Sequence, residues 1–140
     1  MKNSIKTAAL AALVILTAAC CPCRKHAKST NIPLAGTVWQ LAQLDGRAFA
    51  AEADRFTVVF DGKGNLSGEG ACNRLMGSYE ASASGDLKID RMASTRMACP
   101  DMETEARFMQ LLSEATHYRI DGQMLMLLRD GELRAVLQAR

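Results

Sequence analysis

The sequence predicts an α+β domain: a mostly antiparallel, half-open, barrel-like β-sheet with one helix packed on it. Two observations lead to this prediction. From Gly36 onward, short runs of alternating apolar and polar residues are separated by turns rich in Gly and Asp, which is typical of a meandering antiparallel sheet. After Pro100 the apolar spacing changes to that of a helix. The chain has 140 residues, of which 49% are apolar, and this length suits one folded domain.

The strands before the helix are predicted from their turn signals. In the first strand Trp39 and Leu41 lie on one side of the alternation, so these two side chains are expected in the core. Asp-Gly, Gly-rich and Ser-Gly segments between alternating runs are typical of hairpin turns. The first predicted strand is 38–43, which the turn Asp45-Gly46 ends. Two hairpins follow: strands 56–60 and 65–68 joined by the turn 61–64, and strands 76–82 and 86–89 joined by the turn Ser84-Gly85.

One helix is predicted after Pro100, because the helix dipole favours the negative charge that lies near its start. The carboxylates near the start of the helix are Asp101, Glu103 and Glu105. We expect these three side chains, and that of Asp121, to be solvated. An apolar stripe with helical spacing should lie on the sheet, and it consists of Phe108, Leu111, Leu112 and Ala115. Three short strands joined by two-residue turns are predicted to follow, at 118–120, 124–128 and 133–137.

Residues 1–19 have the layout of a secretory signal peptide, with two lysines, an uncharged stretch and small residues before Cys20. The uncharged run is shorter than the ~20 residues needed to span a bilayer. The segment ending at Cys20 resembles a bacterial lipobox, with its leucine one position farther from the cysteine than usual. We therefore expect Cys20 to be the lipid attachment site of an exported, membrane-anchored lipoprotein. Because Cys21 rather than Asp follows the anchor, we expect the outer membrane, with the domain facing the periplasm.

The lipidated cysteine and a flexible tether are predicted at 20–33, followed by the domain at 34–140. Cys21 and Cys23 at the start of the tether fit further acylation or mutual oxidation. A metal site is the weaker alternative, because only His26 lies nearby and a metal needs about four ligands.

The charge balance argues against a nucleic-acid partner. Without Lys2 and Lys6, the Lys and Arg count falls from 17 to 15, which equals the 15 Asp and Glu. A neutral domain has no general attraction to phosphates. With 5% aromatic residues, it also offers few surfaces on which bases could stack.

Cys72 and Cys99 are the cysteines in the body of the domain. In an exported chain such a pair is expected to form a disulfide, which would stabilise the fold by about 3.5 kcal/mol on chain-entropy grounds. The alternative is a pair of reactive thiols, although neither cysteine has the close Cys-x-x-Cys partner typical of a redox enzyme.

Three segments have a more specific pattern: 36–41, 67–79 around Cys72, and 93–99 before the helix. Together they resemble the META domain family of HslJ-like envelope lipoproteins, over roughly 34–137. The family-motif residues are Gly36, Thr37, Trp39, Leu41, Gly68, Asn73, Arg74, Gly77, Tyr79, Thr95, Arg96 and Met97. The resemblance implies a compact antiparallel β-rich domain with a packed helix and a stress-related role in the bacterial envelope, and it implies no catalytic residues.

Several motif residues also have physical interpretations. Gly68, Gly70 and Gly77 allow bends or bulges around a small core. Asn73 tolerates the left-handed conformation while its side chain bonds its own backbone.

Arg74 and Arg96 lie close to the two cysteines, so a disulfide would bring their segments together as a candidate anion patch. Solvated or helix-capping arginines are the alternative. No catalytic, cofactor-binding or metal-binding residues are predicted, since His117 is the one histidine of the domain and no phosphate loop or metal-ligand spacing is present.

These observations predict a non-enzymatic module that binds or stabilises an unknown envelope protein at the periplasmic membrane face. The alternative is a carrier of a small apolar ligand or lipid in a cavity of the β fold. Flexible methionines would line such a cavity, or else fill the core, and they are Met76, Met92, Met97, Met109, Met124 and Met126.

Overall fold

The computed structural model describes residues 30–140. The predicted signal peptide, Cys20 and the tether up to Ser29 therefore lie outside the described residues. The elements are β1 (Val38–Leu44), β2 (Arg47–Ala48), β3 (Thr57–Phe60), β4 (Asn65–Glu69), β5 (Arg74–Ala81), β6 (Leu87–Ser94), α1 (Met102–Glu114), β7 (His117–Asp121), β8 (Met124–Arg129) and β9 (Glu132–Ala139).

The strands form one antiparallel sheet in the order β6-β5-β4-β3-β1-β9-β8-β7, with β2 paired to β1. The two edges of this sheet, at β6 and β7, are paired over a short distance, at an isolated bridge between Asp86 and His117. On either side of the bridge, Leu87 donates to the Thr116 carbonyl at 2.9 Å and Tyr118 to the Gly85 carbonyl at 2.8 Å. The sheet is not closed into a barrel, so the predicted half-open architecture is confirmed.

The core lies between the inner face of the sheet and α1. Trp39 and Leu41 are buried as predicted, and so is the predicted apolar stripe of the helix. Alternation along the strands produces this core, because every second side chain of a strand faces the same side. The largest fully buried side chains are Trp39, Phe60, Phe108, Leu41, Leu66, Leu75, Leu111, Leu112, Leu125, Leu127, Leu137 and Val58.

Strands β5 and β6 are longer than predicted. The register of their pairing shifts between Met76 and Ser78, as at a β-bulge, and Arg91 on the opposite strand has a positive φ of 53°. A bulge interrupts the period-two pattern, and this interruption hid the continuation of both strands.

The chain joins the domain earlier than residue 34. The Ile32 N–H donates to the Gly122 carbonyl at 3.1 Å, and the Gly122 N–H donates to Asn31 Oδ1 at 2.9 Å. Gly36 then donates to the Phe60 carbonyl at 2.8 Å. The amino-terminal segment therefore crosses the end of the sheet that carries the β3–β4 and β7–β8 turns. Among residues 30–140, no helix has the length and apolar character needed to span a bilayer.

Candidate functional site

Two of the three motif segments, 67–79 and 93–99, meet where the β4–β5 loop contacts the segment before α1. A disulfide joins Cys72 to Cys99 across this contact, with the two Cα atoms 6.4 Å apart. We call the loop 70–73, the segment 95–99 and Glu105 of α1 the motif junction. The motif junction joins parts of the chain that are far apart in sequence, with a sequence separation of 27 between the two cysteines. The two motif segments are therefore separate in sequence and adjacent in the fold.

Glu105 is at the centre of the motif junction and is only 3% exposed. Its Oε2 accepts hydrogen bonds from the main-chain N–H groups of Ala71 at 2.8 Å, Cys72 at 3.1 Å and Asn73 at 3.1 Å. Its Oε1 accepts one from Asn73 Nδ2 at 2.7 Å. The prediction that Glu105 is a solvated helix carboxylate was therefore wrong.

The ionised form of Glu105 is favoured despite its burial. Burial alone raises the pKa of this carboxyl, but the hydrogen bonds from Cys72, Asn73 and Ala71 outweigh it and hold the pKa below its ordinary value. Because the loop donates these bonds to a charged acceptor, the carboxylate fixes the main chain of the loop against the helix.

Asn73 connects the loop to the segment before the helix. Its Oδ1 accepts hydrogen bonds from Thr95 Oγ1 at 2.8 Å and from the Met97 N–H at 2.7 Å. Its Nδ2 also donates to the Met97 carbonyl at 3.1 Å. Asn73 has no positive φ, so the predicted left-handed conformation was wrong. Its side chain is 1% exposed and bonds other segments rather than its own backbone.

Two of the motif glycines are required by close approach rather than by bending. A Cβ on Gly70 would lie 2.4 Å from Glu105 Oε2, and one on Gly68 would lie 2.0 Å from the Thr57 carbonyl oxygen. Gly77 lies at the register shift of β5 and β6, as the bulge interpretation expects.

Sequence reasoning missed Arg55, which supports the loop from its other side. Its Nε donates to the Ala71 carbonyl at 2.6 Å, and its guanidinium forms ion pairs with Glu52 and Asp101, both at 3.0 Å. No local pattern marks this arginine, because two of its three partners, Ala71 and Asp101, are distant in sequence.

Four exposed side chains belong to the motif junction or to the start of β5 that follows its loop, and we call them the outer motif surface: Arg74, Met76, Arg96 and Met97. Met76 and Met97 are 52% and 60% exposed, which is high for large apolar side chains. Arg74 is exposed and lies 3.7 Å from Glu69, and Arg96 is exposed on the segment that the disulfide holds. The segments that carry the two arginines of the predicted anion patch are in contact, since the Arg74 N–H donates to Thr95 Oγ1 at 3.1 Å and the Thr95 N–H donates to the Arg74 carbonyl at 3.1 Å, and anion binding there stays a prediction.

The remaining motif residues hold the opposite end of the sheet. Trp39 Nε1 donates to the Leu34 carbonyl at 3.0 Å, Thr37 Oγ1 donates to the Pro33 carbonyl at 2.7 Å, and the Tyr79 hydroxyl donates to the Asp61 carbonyl. These contacts fasten the incoming chain and the β3–β4 turn to the core.

A second polar cluster lies at the bridge between the sheet ends. Asp86 Oδ2 accepts hydrogen bonds from Ser82 at 2.7 Å and Ser84 at 2.6 Å, while Asp86 Oδ1 lies 3.4 Å from His117 Nε2. The carboxylate thus stands between the serines and the histidine, an order that differs from the serine–histidine contact of hydrolase triads. Within residues 30–140, no group of three His, Cys, Asp or Glu side chains is arranged to hold a metal ion.

The methionines do not gather around an internal cavity. Met76 and Met97 face solvent, whereas Met92 and Met109 pack against the buried core. The space between sheet and helix is occupied by Trp39 and other large side chains. This packing favours methionine as a core filler over methionine as a cavity lining.

Fold and site together define a class of protein: a half-open antiparallel domain with one helix, in which a disulfide ties the β4–β5 loop to the segment before that helix. The META domain model matches residues 32–140, and the chain belongs to the META domain family.

Solved structures share this architecture. A Burkholderia xenovorans protein determined by NMR is 25% identical, with a TM-score of 0.61 over 76% of this chain and 83% of its own. A second NMR structure is 22% identical, with a TM-score of 0.60 over 75% of this chain and 90% of its own. A DUF4847 family protein from Bacteroides vulgatus is 16% identical, with a TM-score of 0.60 over 76% of this chain and 93% of its own. None of the curated proteins matches the chain.

Proposed function

We propose that this META domain protein is a non-enzymatic, lipid-anchored protein of the bacterial envelope that binds a partner protein through the outer motif surface. The observation that carries this proposal is that the buried carboxylate of the motif junction is bonded to the loop. A carboxylate has about four acceptor positions, and Glu105 accepts four hydrogen bonds from a single loop. Such a group holds main chain in position, because all four of these hydrogen bonds come from the loop.

The outer motif surface suits a particular chemistry of partner. Met76 and Met97 offer flexible apolar contact, and methionine is common at adaptable binding surfaces. Arg74 and Arg96 add two guanidinium groups that can bind carboxylates in a bidentate way. A partner segment that combines apolar side chains with Asp or Glu would match this surface.

The binding proposal is tested by site-specific photo-crosslinking in cells that express the full-length chain. A photoreactive phenylalanine analogue in place of Met97 should give one discrete adduct. The same analogue at Leu133 is the matched control, because Leu133 is 43% exposed but lies on β9, outside the motif junction. The variant that combines Arg74→Glu and Arg96→Glu should remove the Met97 adduct. Equal adducts from both positions, or an adduct that persists after charge reversal, would contradict the proposal.

The anchoring proposal is tested separately by fractionation of full-length variants. Cys20→Ala should move the protein from the membrane to the soluble fraction, because the thioether to the lipid cannot form. Cys21→Ala is the matched control and should leave the protein in the membrane. If the Cys20→Ala variant stays in the membrane, the uncleaved amino-terminal segment or another cysteine is the anchor.

A further inference from the structure

A basic depression lies on the outer face of β5 and β6, beside the β3–β4 turn. Its volume is about 370 Å³, within the size range of small-ligand sites. Three cationic residues line it, Lys63, Lys88 and Arg91, together with the carboxylates Glu80 and Asp90. The depression is outside the motif junction, and the proposed partner surface does not use it.

The turn that carries Lys63 is held rigidly. Asp61 Oδ1 accepts hydrogen bonds from the N–H groups of Lys63 at 2.8 Å and Asn65 at 2.7 Å. The Tyr79 N–H of β5 donates to the Gly64 carbonyl at 2.8 Å, and the Tyr79 hydroxyl donates to the Asp61 carbonyl. The turn is therefore attached to β5 at two points, both through Tyr79, so the start of the Lys63 side chain has a fixed position at the edge of the depression.

Arg91 reaches the depression from a strained backbone. Its φ is 53°, a left-handed conformation that costs free energy for any residue other than Gly, Asn or Asp. It lies opposite the register shift of β5 and β6, and such bulges redirect side chains near binding sites. Glycine would fill this position without strain, yet the chain has arginine there. This strain and the rigid Lys63 turn are independent features that both place a cation at the same depression.

We propose that the depression binds a phosphoglycerol group, meaning a phosphate ester that carries neighbouring hydroxyls. Lys88 pairs with Asp90 at 2.6 Å, whereas Lys63 and Arg91 form no ion pair within the described part of the chain. These two cations bind the phosphate oxygens. The carboxylates Glu80 and Asp90 accept hydrogen bonds from the hydroxyls, which a bare phosphate or sulfate lacks.

Two sources can supply this group: a phosphatidylglycerol headgroup or a soluble glycerol phosphate. The depression adjoins the end of the sheet where the chain joins the domain, since Gly36 donates to the carbonyl of Phe60, the residue before the β3–β4 turn. A chain anchored through its amino terminus would hold this end nearest the membrane, and the lipid arm of the experiment tests this placement.

The experiment is an NMR titration of the ¹⁵N-labelled full-length chain in neutral detergent. Glycerol 3-phosphate should shift the amide signals of Lys63, Gly64 and Arg91, while sulfate and glycerol should give much weaker shifts. Arg91→Gly removes the cation and keeps a residue that tolerates the left-handed backbone, so it should fold and bind about tenfold more weakly. Lys63→Ala should show a similar loss. Arg119→Ala, an exposed arginine on β7, is the matched control and should bind as the parent does.

In the second arm, the chain is placed in nanodiscs of phosphatidylcholine with or without phosphatidylglycerol. The same amide shifts, seen only with phosphatidylglycerol and lost in Arg91→Gly, identify the headgroup as the source. Shifts with glycerol 3-phosphate but none in the nanodiscs identify a soluble source. Equal binding of sulfate and glycerol 3-phosphate, or equal binding by the parent and Arg91→Gly, would overturn the proposal.

Discussion

Two carboxylates in this domain join segments that are distant in sequence, and they do so in opposite surroundings. Glu105 connects α1 to the β4–β5 loop and is 3% exposed, with four hydrogen bonds accepted from one loop. Asp86 connects the β5–β6 turn to β7, where its side chain is 66% exposed beside His117. Hydrogen bonds lower the pKa of both carboxyls, at Glu105 against the opposing effect of burial and at Asp86 chiefly through Ser84 and Ser82.

The two carboxylates differ in whether water can replace their hydrogen-bond partners. If the bonds of Asp86 break, water hydrates the carboxylate, the serines and the histidine at once, so little is lost. If Glu105 is removed, the N–H groups of Ala71, Cys72 and Asn73 lose their acceptor in a part of the molecule that water reaches poorly. We therefore expect the motif junction to be the stable end of the domain and the contact between the sheet ends to be the weak one.

The largest effect is expected from Glu105→Ala. This change leaves several buried donors without an acceptor, so the free energy of unfolding should fall by about 4 kcal/mol. Denaturant unfolding monitored by the fluorescence of the buried Trp39 measures this loss. The matched control is Glu103→Ala, an exposed carboxylate in the same first turn of α1, which should change stability by less than about 0.5 kcal/mol. Equal losses in both variants would mean that the buried hydrogen bonds contribute no more than surface charge.

The disulfide should give the next largest effect, because it joins the same loop to the same helix start. Cys72→Ala and Cys99→Ala should each lower the free energy of unfolding by about 3.5 kcal/mol, since either removes the cross-link over a separation of 27 residues. The double variant should be no less stable than the single ones. Additive losses in the double variant, or a parent protein whose stability does not change with reductant, would show that the cross-link is not what stabilises the junction.

A third prediction concerns acid. Because the pKa of Glu105 in the folded chain is below its ordinary value of 4.5, the folded state binds this proton less readily than the unfolded state. The resulting stabilisation is complete above that ordinary value and is lost as the pH falls through the lower, folded-state pKa. Melting temperatures recorded between about pH 3 and 7 should fall on the acid side for the parent and less steeply for Glu105→Gln. Parallel curves for the two proteins would contradict the assignment of this dependence to Glu105.

The same contrast explains what the sequence could predict. The alternation that places Trp39 in the core and the helical spacing that buries Phe108 are local, so both features follow from neighbouring residues. The burial of Glu105 depends on donors that lie more than 30 residues away in sequence, and locally it resembles the exposed Glu103. The available signal was a glycine at position 70, whose missing side chain makes room for a group from elsewhere.

The smallest effect is expected where the two ends of the sheet meet. His117→Ala removes the partner of Asp86, and because that pair is exposed the melting temperature should change by less than about 2 °C. Local opening should nevertheless increase, since the bridge is held only by the bonds that surround it. Hydrogen exchange should become faster at the Leu87 and Tyr118 amides, which donate across the bridge, and stay unchanged at Leu125 in the core. Faster exchange at all three amides would mean that His117 contributes to global stability as Glu105 does, and the contrast between the buried and exposed carboxylates would then fail.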